Sequence, residues 1–157
     1  MEAVVACARP EGGWTYACDP PTGPEGVVTA ILLRARSIGE IFGTADWDVL
    51  VMRSPGTPAA GLLLLDAWSR AGEPRWLEVA RRAGDLLLAT QLASGGWASE
   101  MPVRGGRLAW WFRLVPGTTA LDDDVTSGAA RFLLALWQAT GDPGVRASAE
   151  GALDLLR

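Results

Sequence analysis

The 157-residue chain contains no histidine, no lysine and no asparagine, and all fourteen of its basic residues are arginine. Without histidine there is no Ser-His-Asp or Cys-His pair, and without lysine there is no Schiff base and no P-loop lysine. Acid–base work falls to Asp, Glu, Tyr, Cys or an arginine whose proton is unusually labile. Cysteine is scarce too. Cys7 and Cys18 match no metal pattern in the absence of two further ligands. They flank a loop containing Gly12-Gly13-Trp14, and either a bridge closing that loop or two reduced thiols fits the spacing. No apolar run reaches the roughly 18 residues of a membrane span, and no basic stretch followed by an apolar core marks a leader. The net charge of −4 argues against a nucleic-acid groove or an anionic membrane surface, because phosphate binding needs a positive field.

What is present reads as one helical domain. About half the residues are apolar, enough for a real core in a chain of this length. Residues 9–24 form a Gly/Pro-rich loop. Over 27–42 the apolar residues Val27, Ile31, Leu32, Ala35, Ile38, Ile41 and Phe42 recur at three and four, the helical period, and 46–58 is irregular. Thr57 as cap and Pro58 at the first helical position start a helix that ends before Gly72. Glu73-Pro74 starts another that stops near Gln91. The pair is an αα-hairpin with a very short joint.

The hairpin recurs. Subtracting 69 from each position aligns Trp137 with Trp68, Gly141 with Gly72, Pro143 with Pro74, Ala152 with Ala83, Asp154 with Asp85 and Leu155 with Leu86. A second relation, at 83, links Gly12-Gly13-Trp14 to Gly95-Gly96-Trp97. Helix pairs that repeat bury their apolar faces by stacking on neighbours. The expected fold is therefore all-α: a single domain over 1–157 with hairpins near 57–91 and 126–157, long irregular loops, and the look of one arc of a larger α/α assembly. Such an arc exposes a helix face that favours self-association.

The run Gln91-Leu92-Ala93-Ser94-Gly95-Gly96-Trp97, followed by TTALDDDVTSGAARFLLAL, resembles the α/α-toroid polysaccharide lyases of the family 10 pectate lyase type. The resemblance covers about 57–157. It implies a partial α/α toroid with a cleft, an acidic pectic substrate cut by β-elimination, calcium bound against substrate, an arginine base, and action outside the cytoplasm. The family's GGWPQ appears here as Gly95-Gly96-Trp97-Ala98-Ser99, and its Asn-Asp-Asp-Ala as Asp122-Asp123-Asp124-Val125, so no arginine is assigned as base. QLASGGW also resembles the Gln-x-x-x-Gly-x-Trp repeat of triterpene-cyclase and prenyltransferase barrels. Their Asp-x-Asp-Asp acid motif would need an aspartate where Leu121 stands. A non-catalytic helical-repeat module binding a glycan or a protein partner is the third reading.

Asp122, Asp123 and Asp124 open the second hairpin, and carboxylates there accept unpaired N–H groups and favour the helix dipole, together worth about 1 kcal/mol. One or two suffice for that. The aligned positions of the first hairpin read Arg53, Ser54 and Pro55, so the scaffold starts its helix without an acidic cluster. Three adjacent charges repel unless an arginine or a hard cation such as Ca²⁺ relieves them, with Glu100 as a fourth oxygen donor. Trp97, Trp110 and Trp111 offer faces for sugar rings or for the core. Arg104, Arg107 and Arg113 are natural partners for the aspartates or for substrate carboxylates. Trp68 and Trp137 read as core.

Overall fold

Proline inside the first turn and glycine just past the last mark the first hairpin in the sequence, and its helices fall between those marks. In the computed structural model, which describes residues 1–15, 49–102 and 118–157, the elements are α1 (Glu2–Ala6), β1 (Val49–Val51), α2 (Thr57–Ala71), α3 (Pro74–Thr90), β2 (Glu100–Pro102), α4 (Val125–Thr140) and α5 (Pro143–Leu155). The helix expected over 27–42 lies outside the described residues.

Both hairpin joints have one geometry. Gly72 (φ 70°, ψ 13°) and Gly141 (φ 72°, ψ 8°) end α2 and α4 in the left-handed region. Their N–H groups each donate 2.7 Å bonds, to the carbonyls of Trp68 and Trp137 respectively. Glycine takes this conformation without the Cβ penalty that other residues meet. The next residue then caps the following helix. Glu73 accepts from the N–H of Arg75, and Asp142 accepts from those of Gly144 and Val145.

The two hairpins stack, with α4 against α2 and α3 and α5 against α3. Phe132 and Leu136 of α4 are fully buried or nearly so, each worth roughly 1.5–3 kcal/mol. They have room because Gly61 on α2 and Gly84 on α3 carry no side chain: a Cβ at Gly61 would overlap the Phe132 ring, and one at Gly84 would overlap Leu136 Cδ2. A large residue of one repeat thus fills a notch left by glycine in the other, as dense packing requires.

The Gly-Gly-Trp loops join this frame in matching fashion. Gly12 (φ 98°) and Gly95 (φ 92°) close turns in which their N–H groups donate to the carbonyls of Arg9 and Leu92, while the N–H groups of Arg9 and Leu92 donate to Gly13 and Gly96. The indole N–H of Trp14 donates to Val4 O at 2.8 Å and that of Trp97 to Leu87 O at 2.9 Å. The backbone N–H of Trp14 reaches the Thr57 hydroxyl at 3.1 Å, and that of Trp97 the Thr126 hydroxyl at 3.4 Å. Val4 and Leu87 lie 83 apart, Thr57 and Thr126 lie 69 apart, so α1 plays for the first loop the part that the end of α3 plays for the second. Loop and hairpin are separated by 43 residues in the first copy and 29 in the second, a difference of 14 that accounts for the two offsets.

Several local expectations change. The fold is mostly helical, but residues 49–51, read as irregular, form β1, antiparallel to β2 with Leu50 opposite Met101 and Val51 opposite Glu100. Thr15 bridges to Leu50. A pairing partner some fifty residues away leaves no local signal. Thr57 is the first helical residue, preceded by Gly56 as cap, and its hydroxyl accepts from the Trp14 N–H. Trp137, read as core, is only partly buried against the core cluster, with the Arg146 guanidinium 4.9 Å from its ring centroid, a cation–π contact. Trp68 is likewise half-buried. Cys7 is disulfide-bonded; Cys18 lies outside the described residues.

Candidate functional site

The acidic run enters α4 through an unusual backbone. Asp123 (φ 48°) and Asp124 (φ 59°) are the two non-glycine residues with positive φ among the described residues, a conformation that Asp tolerates better than most side chains. The turn they make is held by the N–H of Ser54, which donates to Asp123 O at 3.2 Å, and by that of Gly128, which donates to Asp124 O at 2.9 Å. The Asp124 side chain makes no capping bond to the helix, contrary to the expectation that the carboxylates accept orphan N–H groups. With Asp124 in the left-handed region, its carboxylate instead accepts from the Ser127 hydroxyl on one oxygen and from Arg131 on the other.

The neighbouring carboxylates converge on a different arginine. Arg53, just past β1, places Nη2 3.5 Å from Glu100 Oε1 and Nη1 4.0 Å from Asp123 Oδ2. Glu100 stands on β2, opposite Val51. Two guanidinium groups therefore face this acidic surface, as mutual repulsion among adjacent carboxylates demands. Asp122 is exposed. Beside Arg131 a cavity of about 150 Å³ opens between the first turns of α2 and α4, with an apolar wall of Met52, Pro58 and Leu62 facing Asp124, Gly128 and Arg131.

Three of the four oxygen donors expected to share a cation are thus tied to arginine, Asp123 and Glu100 to Arg53 and Asp124 to Arg131. No group of three Asp, Glu, Cys or His residues gathers as a metal site among the described residues. By themselves the described protein oxygens fall short of the six to eight ligands of a calcium ion, so Ca²⁺ here would need further donors such as substrate carboxylates. Arginine supplies the neutralising charge.

Trp97 departs from the ligand-stacking expectation. It is fully buried, its ring inside the stack and its N–H on Leu87, so its faces are covered by protein. Trp110, Trp111, Arg104, Arg107 and Arg113 lie outside the described residues. Sequence reasoning missed Arg53 and Arg131 as site residues. A signal existed for each: Arg53 aligns with Asp122 in the repeat, and Arg131 follows Asp124 by two helical turns, on the same face. The pairs that Arg53 makes also show that the unequal charge of the two repeat copies is complementary across the seam. No family model, curated protein or solved structure matches the chain.

Proposed function

We propose that this chain is an arc of an α/α toroid of the pectate-lyase-like kind and that its loop end binds an acidic polysaccharide. The observation that carries the reading is the asymmetry between repeat copies. Both copies seat a Gly-Gly-Trp loop on a buried threonine and close their hairpin on a left-handed glycine. One of them alone opens its first helix with three aspartates, which the stack does not require, since α2 starts behind Arg53, Ser54 and Pro55.

Charge sets a condition on this reading. Glu100, Asp122, Asp123 and Asp124 outnumber Arg53 and Arg131, so an acidic chain docking there needs further positive charge. Arg104, Arg107 and Arg113 are one source and added Ca²⁺ is another. Incubation with polygalacturonate, with and without millimolar Ca²⁺, tests the proposal through two readouts. Cleavage by β-elimination raises absorbance near 232 nm, while binding without cleavage slows the protein in affinity electrophoresis. Neither signal in either condition overturns it.

A second reading, a non-catalytic module for a glycan or protein partner, is favoured by the commitment of Asp123, Asp124 and Glu100 to arginine. Asp123 and Glu100 join the two repeats through Arg53, and Asp124 is held within its own helix by Arg131, which leaves Asp122 as the one acid of the cluster outside these pairs. Retarded migration with a flat absorbance trace selects this reading.

A further inference from the structure

Arg53 stands at a junction that neither repeat makes alone. Through Glu100 it touches β2, and through Asp123 it touches the turn into α4. These two elements flank the 103–117 segment in the chain, so one guanidinium spans both stems. The fork uses a different nitrogen for each carboxylate, Nη2 for Glu100 and Nη1 for Asp123, a division that the planar, five-donor guanidinium permits and a lysine ammonium does not reproduce in shape. Backbone bonds run alongside: Ser54 N–H to Asp123 O and Met52 N–H to Ser99 O. Arg53 is therefore embedded in a short ladder in which its own strand end is tied to one stem on each side.

We infer that Arg53 is a positioning residue, a two-pronged clasp that fixes the spacing between β2 and the turn into α4 and so sets the geometry of the proposed ligand-binding end. The inference rests on that end being functional, but its test does not use a ligand. Its prongs are long and the side chain is 43 % exposed, so the clasp is screened by salt and open to exchange with a solute anion. The contact that Arg53 makes across the seam is thus strongest at low ionic strength.

Amide hydrogen exchange of the intact chain tests this. In Arg53→Ala at low salt, exchange of the Ser54 amide accelerates severalfold, while the Gly141 amide at the far end of α4 keeps its rate. Raising NaCl to 1 M in the unchanged protein accelerates Ser54 in the same direction, and salt has no such effect in Arg53→Ala. Arg53→Lys, which keeps the charge and loses the fork, recovers part of the protection. Unchanged Ser54 exchange in Arg53→Ala overturns the inference. So does equal acceleration at Ser54 and Gly141, which would make Arg53 a contributor to global stability instead of a local clasp. Absence of polysaccharide binding by the unchanged protein, with the exchange pattern as expected, would count against the proposed function and leave the clasp standing.

Discussion

Gln91 and Ser148 hold the outer helices of the two hairpins together through their side chains and one backbone group: Gln91 Nε2 donates to Ser148 O at 2.8 Å, and the Ser148 hydroxyl donates to Gln91 Oε1 at 2.7 Å. The same Nε2 also donates to Gly95 O at 2.7 Å, so one amide joins α3, α5 and the Gly-Gly-Trp loop. At the matching positions of the first copy, 83 and 69 residues earlier, stand Ala8 and Val79. A polar latch in one copy replaces apolar residues in the other.

Removing the latch should destabilise the chain. Gln91→Ala leaves the Ser148 hydroxyl and the Gly95 carbonyl without partners, while the Ser148 carbonyl keeps its place in the α5 ladder, a cost of about 1–3 kcal/mol. Restoring the apolar character of the first copy with Gln91→Ala/Ser148→Val should recover part of that loss. Urea unfolding of the two variants decides it, and equal midpoints would refute the latch.

The glycine notches differ in how they respond to being filled. Gly61→Ala pushes a methyl into the rigid Phe132 ring, while Gly84→Ala meets the flexible end of Leu136. Alanine is the better helix former by about 1 kcal/mol, so Gly84→Ala should sit near neutral and Gly61→Ala should cost about 1–3 kcal/mol from overpacking. Phe132→Leu in the Gly61→Ala background should relieve it. Thermal melts of the four proteins give the comparison.

The two buried threonines are equivalent in position and unequal in duty. Thr57 accepts from Trp14; Thr126 accepts from Trp97 and also donates to Ala120 O at 2.7 Å. Thr126→Val should therefore cost more than Thr57→Val, with each falling within about 1–3 kcal/mol for a buried polar group left unpaired. An order reversed in chemical denaturation would show that the shared N–H bond, and not the second one, dominates.

Trp97 serves as a test of core against ligand. Trp97→Ala should cost about 3–5 kcal/mol, and at temperatures where the variant stays folded, affinity for any polysaccharide should be unchanged. A fall in affinity in the folded variant, measured by calorimetry, would contradict the buried placement.

At Asp124 the backbone makes its own prediction. With φ at 59°, Asp124→Gly loses the exposed pair with Arg131, worth at most about 1 kcal/mol, but gains in conformation. Asp124→Ala loses the same pair and adds a left-handed penalty of about 1–2 kcal/mol. The glycine variant should melt at the higher temperature.

Much of the frame was legible from residues alone. Proline near helix starts, glycine at helix ends and apolar residues at three and four fixed both hairpins to within a residue or two, because these signals act over one or two turns of chain. The offset of 69 then implied stacking, since a repeated amphipathic pair has nowhere else to bury its face. The acidic cluster was visible too, as was the absence of its like in the other copy.

Only the tertiary structure decided what faces what. The β1–β2 pairing, the Phe132 notch at Gly61 and the Gln91–Ser148 latch join residues 49 to 71 positions apart, and no local pattern reports such distances. It also turned Trp97 inward and gave the aspartates arginine partners from the neighbouring repeat and from their own helix. Local chemistry determined which residues carry charge and where helices begin; burial and long-range contact determined which of those charges are satisfied by the protein itself.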